Sequence, residues 1–398
     1  MNRDRTVEVL VVGAGPAGLA LAARLAAAGA GHVEVLEREQ DAGGVPRHCH
    51  HGGFGGTVRP WLAGPAYARR AVQAAVTAGA TLRTGVTATG WAGPLSLETT
   101  SPAGLERITA RAVVLATGAR ERPRSARLVP GSRPAGVLTT GELQQSVHLY
   151  GQDIGRRAVV VGADPVARHA VRTLRRAGAE VVAVVTELSR GPAVPGVPLL
   201  TATRVGELRG RGRLSGVAVQ HEDGRSGTLA CDTVVFTGDW IPDHELARRG
   251  GIALDPGTRG PSVDASFRTS TPGVFAVGNA LHGVERAATA AAEGAAAAVA
   301  VLAHLSGAPW PQPGPALAVR APLVWVAPNR LTDAAGRPLL LRSAEPLTGP
   351  VVTVAQDGQL LWRRRVPGRV SPSRSLRLPP GWTHRVDRAG GPVLLGIG

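Results

Sequence analysis

Gly13-Ala14-Gly15-Pro16-Ala17-Gly18 sits directly behind the apolar run at 7–12, and Glu37 closes a second apolar run 19 residues after Gly18. Each residue type suits one task around a pyrophosphate. Gly13 permits a tight turn, Gly15 lets backbone approach the phosphates, Gly18 lets a helix lie close on a strand, and the Glu37 carboxylate can grip a ribose diol. A helix beginning at Pro16 and Ala17 turns its positive end toward the same place. Strand, glycine turn, helix and second strand with a terminal acid make up a unit that holds a dinucleotide.

A second group of reactive types lies in Val45-Pro46-Arg47-His48-Cys49-His50-His51-Gly52-Gly53-Phe54, which follows the glycine pair Gly43-Gly44. Its lack of periodicity reads as a site loop. Cys49 is either a reactive thiolate or sulfenic acid, its pKa lowered by protonated neighbours such as His51, or a buried inert thiol. Three histidines in four residues invite a metal, yet no second ligand cluster stands at useful spacing, so no metal site is expected.

The elements that must position these groups are legible from apolar spacing. Residues 62–80 have helical spacing, 81–87 including Val86 reads as a strand, and Ala112 to Leu115 is a buried strand ending in the small-residue turn Ala116-Thr117-Gly118. A second strand–turn–helix unit starts at Arg157 with Gly162-Ala163-Asp164-Pro165, and a third strand-and-turn signal runs from Thr271 to Gly278-Asn279. An Ala-rich helix follows, then a proline-rich linker at 309–315 and short strands with an Asp357-Gly358 hairpin turn. The expected class is α/β, with two Rossmann-like domains, the second inserted in the first, plus a small C-terminal all-β domain. The expected boundaries are 1–122 and 241–308 for the outer domain, 123–240 for the insert and 315–398 for the β domain, a docking or interface module.

Composition removes several classes of function. The formal charge is +16, but every cation of the 45 is Arg, the arginines are dispersed, and aromatics are only 3%. That pattern lacks the stacking platforms of a single-strand binder, so no nucleic-acid partner is expected. The absence of Lys excludes a lysine Schiff base and a lysine beside a flavin. Two cysteines, far apart, exclude a dithiol relay and a disulfide framework. The apolar run from Ala287 to Leu305, interrupted by Glu293, reads as a buried helix rather than a membrane span. With a cofactor strand so close to the start there is no room for a signal peptide, and a cytoplasmic location is expected.

With these signals in order, residues 7–305 resemble the two-dinucleotide-binding flavoproteins of the pyridine nucleotide-disulfide oxidoreductase superfamily. Segments 120–123 and 130–144 look like the FAD-containing alpha-type subunits of opine oxidase, hydrogen cyanide synthase and hydroxyproline dehydrogenase. The resemblance implies FAD held by Gly13, Gly15, Pro16, Ala17, Gly18, Glu37, Arg38, Gly44, Val86, Ala116, Thr117, Gly118, Gly278 and Asn279. It places Asn279 where the family's motif ends in Asp, bonding the ribityl-phosphate arm. It also places His282 and Glu285 near the isoalloxazine, where they would shuttle a proton; the alternative is that Glu285 caps the helix and His282 packs.

The implied activity is oxidation of a small amine, amino acid or similar molecule by hydride transfer to flavin N5, with electrons leaving to a partner subunit or quinone in a homo- or hetero-oligomer. Two alternatives stand beside it: an NAD(P)H-dependent reductase using Cys49, and a flavin-loaded non-catalytic subunit of a larger complex. Against NAD(P)H stands Asp164, which caps its own helix where a glycine would admit a pyrophosphate. Two unit charges 4 Å apart repel by ~4 kcal/mol at an effective dielectric near 20.

Overall fold

A computed structural model describes residues 3–56, 59–191, 193–283, 285–332 and 336–398. It divides the chain into two compact units, one of Met1–Arg47, Gly52–Ala119 and Pro242–Gly398, the other of His48–His51 and Arg120–Ile241.

In the first unit, β1 (Arg3–Val12) runs into α1 (Pro16–Ala27) and β2 (Val33–Glu37). Four consecutive residues, Val9 to Val12, are buried, as expected of a parallel strand covered on both faces. After α2 (Gly64–Thr77) come β3 (Thr81–Thr84), β4 (Thr87–Gly93), β5 (Ser96–Ser101) and β6 (Gly104–Leu115). The sheet order is β3-β2-β1-β6-β5-β4, with the strand Val274–Ala276 also parallel on β6. The expected strand at 81–87 is split: Gly85 takes φ +67 and Val86 donates its amide to the Glu37 carbonyl at 2.9 Å. The expected helix at 62–80 is trimmed to Gly64–Thr77, with Pro65 in its first turn.

The helix Ala287–Leu305 packs on α1 through small residues. A Cβ added at Gly294 would lie 2.0 Å from the Ala17 carbonyl oxygen, so only glycine allows this approach. The helix has the length and apolarity of a membrane span, yet Glu293 and Gly294 sit on its buried face. Residues after the linker form a four-stranded sheet (Leu317–Val319, Val393–Ile397, Val351–Gln356, Gln359–Arg365) and a three-stranded one (Leu323–Ala327, Leu339–Ser343, Leu376–Leu378). Fully buried Trp382 lies in their shared core.

The second unit carries a five-stranded parallel sheet in the order Leu199–Leu200, Glu180–Val185, Arg157–Val161, Thr233–Phe236, Val137–Thr139. Its helix Thr140–His148 opens with a capping box between Thr139 and Glu142. The helix Pro165–Arg176 opens on an Asp164 cap.

Candidate functional site

The glycine turn of the first unit is built as the spacing demands. Gly13 takes φ +110, and a Cβ there would fall 2.4 Å from the Ala116 carbonyl oxygen; one at Gly18 would fall 2.0 Å from the Gly13 oxygen. Gly15 differs: a Cβ there meets nothing within 4 Å, and as N-cap of α1 it offers no side chain to the first helical amides. Those amides are orphan donors. The buried Glu37 carboxylate accepts from the Ala14 amide at 3.1 Å and the Glu39 amide at 3.0 Å, which fixes it at the rim of the turn with lone pairs to spare.

Neighbouring segments close around this turn. The Gly43 amide bonds the Ala14 carbonyl at 2.8 Å, and Gly44, at φ +62, lies so close that its Cβ would be 2.8 Å from the Gly15 Cα. Ala116 donates to the Val12 carbonyl at 2.9 Å, and Thr117 Oγ1 donates to the Asp243 carbonyl at 2.6 Å, while the Asp243 amide returns a bond to the Gly118 carbonyl. Arg38 reaches the Asp243 carboxylate at 3.5 Å. A Cβ at Gly278 would sit 2.6 Å from the Ala17 Cβ. The expected cofactor residues therefore all belong to one unit, and these contacts link them around the ends of β1, β2 and β6. Open space, uncapped amides and a fixed acid fit the diphosphate and ribose of FAD.

Asn279 departs from its expected use. Its Oδ1 accepts from the Glu285 amide at 3.1 Å and its Nδ2 donates to the Glu285 carbonyl at 3.3 Å, so both ends of the side-chain amide close their own loop. Val284 lies outside the described residues.

His282 and Glu285 also depart from the expected proton shuttle. His282 is 0% exposed, its Nε2 lies 3.1 Å from Glu293 Oε1, and its ring stacks on Trp325 at 5.0 Å. Burial opposes the charged imidazole, but the Glu293 carboxylate, aided by Glu285, outweighs it and holds the His282 pKa above its ordinary value. Glu285 Oε1 takes Arg342 Nη2 at 2.6 Å and accepts from Ser375 Oγ. Arg342, also over the Trp325 ring, is pushed down by burial, which Glu285 partly offsets. The pair is thus tied down by residues of the helix and the C-terminal strands, while His282 Nδ1 is left without a hydrogen-bond partner.

Cys49 and His51 belong to the other unit. Buried Cys49 donates from Sγ to Gln144 Oε1 at 3.3 Å, and His51 stacks on His169 at 3.5 Å. The expectation that histidines lower the thiol pKa is corrected: burial first, and the Glu121 carboxylate second, push it up to about 12. The second cysteine, Cys231, is pushed up to about 11, again chiefly by burial. Glu121 itself is raised to about 7, by burial first, with Asp164 adding, against the bond from the Gly141 amide, which lowers it. Among the described residues no group of three metal-ligating side chains forms.

Several residues that shape these sites carry no partner signal in the sequence: Asp243, Trp325, Arg342, Glu121 and Gln144. Glu293 does leave one, as a lone charge in an Ala-rich helix.

Comparison with known proteins identifies the family and the fold. A family model described as pyridine nucleotide-disulphide oxidoreductase matches residues 7–294. The sarcosine oxidase subunit alpha of Corynebacterium sp. (strain P-1) is 30% identical over 360 residues, covering 82% of this chain and 36% of that protein. The mitochondrial dihydrolipoyl dehydrogenase of Caenorhabditis elegans is 28% identical over 210 residues, covering 48% of this chain and 40% of that one. The chain thus spans little more than a third of the length of these curated relatives. In fold, T. acidophilum thioredoxin reductase superposes with a TM-score of 0.63 at 23% identity, over 76% of this chain and 99% of that one. L-proline dehydrogenase from P. horikoshii gives 0.58 at 17% identity, over 77% and 57%.

Proposed function

Since this chain belongs to the pyridine nucleotide-disulphide oxidoreductase family and is an FAD-dependent oxidoreductase of that group, we propose that it oxidises a small amine or amino-acid-like molecule and passes the electrons to a partner subunit or quinone. The observation that carries this reading is the likeness to a sarcosine oxidase subunit alpha across 82% of the chain. The local chemistry supports it by elimination: no cysteine pair exists to relay electrons to a disulfide, and the electrostatics around Cys49 oppose a thiolate.

When bound, FAD supplies a two-electron acceptor. The residues of this chain bind and position. Amides at the start of α1 would hold the diphosphate and Glu37 the ribose, and Gly15, Gly44 and Gly118 would keep side chains out of the way. Asn279, His282 and Glu285, locked by Glu293 and Arg342, hold the segments around them as positioning residues.

The test is anaerobic titration of the FAD-loaded protein with sarcosine, proline and other secondary amines while following the flavin absorbance. Bleaching by one of these is expected; bleaching by none of them, with bleaching by NADPH instead, overturns the reading. A second reading, a flavin-loaded subunit of a larger assembly, is favoured by the likeness to two sarcosine oxidase chains that are each a subunit alpha. In that case no small molecule bleaches the flavin of the isolated chain.

A further inference from the structure

The two dinucleotide-type turns of this chain serve as internal controls for each other. Gly13 donates its amide to the Leu36 carbonyl, and Gly162 donates to the Val185 carbonyl, both at 2.8 Å, so Gly13 matches Gly162 and Gly15 matches Asp164. The backbones agree: Gly15 has φ −84 and ψ −175, Asp164 has φ −82 and ψ 172, and each is followed by proline at the head of a 12-residue helix. The side chains decide the difference. At Gly15 the space a Cβ would take is open within 4 Å and the helix amides have no side-chain acceptor. At Asp164 the carboxylate Oδ1 accepts from the Ala167 amide at 2.9 Å, the amide matching that of Gly18.

Other parts of the second turn are likewise committed. A Cβ on Gly238 would fall 2.6 Å from Asp164 Oδ2, so the carboxylate is pressed against the following loop. Arg127, the nearby cation, donates from Nε to the Arg122 carbonyl and from Nη2 to the Gly238 and Thr237 carbonyls. The position of Glu37 is taken by Thr186, whose hydroxyl accepts from the Leu188 amide, and the acid comes one residue later at exposed Glu187.

We infer that the inserted unit is a self-liganded nucleotide fold: the Asp164 carboxylate stands where the pyrophosphate of a nicotinamide dinucleotide would lie, so NADH and NADPH do not feed electrons to this protein through that unit. The residues do not fit the group that the family's name implies. Both negative charge and occupied amides oppose it, since the same donors cannot serve a cap and a phosphate together. The inference rests on family membership and not on the amine reading; amine bleaching is scored separately in the same preparation.

Calorimetric titration of the FAD-loaded full chain with NADH and with NADPH tests it, with wild type, Asp164→Gly and Asp164→Asn compared. Glycine restores the first unit's pattern at a backbone conformation it adopts freely; asparagine keeps an oxygen for the Ala167 amide but removes the charge. Wild type is expected to show no saturation below about 1 mM. Asp164→Gly is expected to bind on the order of a hundredfold tighter, with Asp164→Asn between them. Micromolar binding by wild type overturns the inference. So does the absence of any gain in Asp164→Gly when its thermal unfolding matches wild type. If Asp164→Gly does not fold, Asp164→Asn decides: a gain in affinity there supports the inference and none overturns it.

Discussion

His282 and Glu293 meet through a 3.1 Å hydrogen bond between imidazole Nε2 and carboxylate Oε1, at a place where the histidine has no contact with water. They come from the turn after the strand Val274–Ala276 and from the second turn of the helix Ala287–Leu305, so the bond ties that turn to the helix. A buried pair of this kind is tolerated only while both members remain.

The first prediction concerns that pair. The His282 pKa is held above its ordinary value in the folded protein, so above about pH 6.5 the folded chain keeps a proton that the unfolded chain releases. The stabilisation is therefore complete below about pH 6.5 and fades as pH climbs through the folded value. Glu293→Gln should cost roughly 3 kcal/mol or more at pH 6 and less at pH 8.5, measured by urea unfolding. An equal cost at both pH values would mean that His282 is neutral throughout.

The glycine turn makes a sharper test, because its three glycines serve different ends. Gly18→Ala places a Cβ 2.0 Å from a backbone oxygen and should destabilise the fold by roughly 1–3 kcal/mol. Gly15→Ala meets nothing of the protein within 4 Å. It should leave the melting temperature of the apoprotein unchanged while weakening FAD at least about tenfold, since the methyl enters space kept for phosphate. If Gly15→Ala binds FAD as wild type does, the diphosphate lies elsewhere.

Thiol reactivity checks the reading of Cys49. With Cys49 raised to about 12 and Cys231 to about 11, chiefly by burial, both are thiols at pH 8. An aromatic disulfide reagent should titrate two thiols in denaturant and react far more slowly with the native protein. Cys49→Ala should retain its FAD. Rapid labelling of one native thiol at pH 8 would make Cys49 a redox candidate again.

What the sequence makes legible depends on how each feature arises. The glycine turn, Glu37 and the buried strands are readable because spacing alone creates them: a turn, an acid 19 residues on, and an uninterrupted apolar run. The Asp164 cap is readable for the same reason, as a helix start written in two adjacent residues. The surroundings of His282 and Glu285 are not, because Trp325, which stacks on the first, and Arg342, which pairs with the second, come from strands far along the chain. Cys49 misleads because its histidine neighbours in sequence are not what sets its charge. His51 stacks on His169, His50 stacks on His148, and the groups that act on the thiol are its own burial and Glu121. Local sequence names candidate groups, whereas tertiary packing decides their protonation.

Glu121 supplies the last prediction. It is 6% exposed, accepts from the Gly141 amide at 2.8 Å through Oε2, and leaves Oε1 buried without a hydrogen bond. Its pKa rises from 4.5 to about 7, burial being the main cause. Below pH 4.5 both folded and unfolded chains are protonated there. Between pH 4.5 and 7 the unfolded chain releases the proton and the folded one keeps it, so stability falls as pH rises; above 7 the loss is constant. A shift of that size corresponds to about 3 kcal/mol at most. Glu121→Gln keeps an oxygen for the Gly141 amide and removes the titration. It should unfold like wild type at pH 4.5 and be more stable than wild type by roughly 1–3 kcal/mol at pH 8.5. If the two proteins instead run parallel across that range, Glu121 is ionised in the fold and Arg127, whose charge favours the carboxylate, prevails over burial.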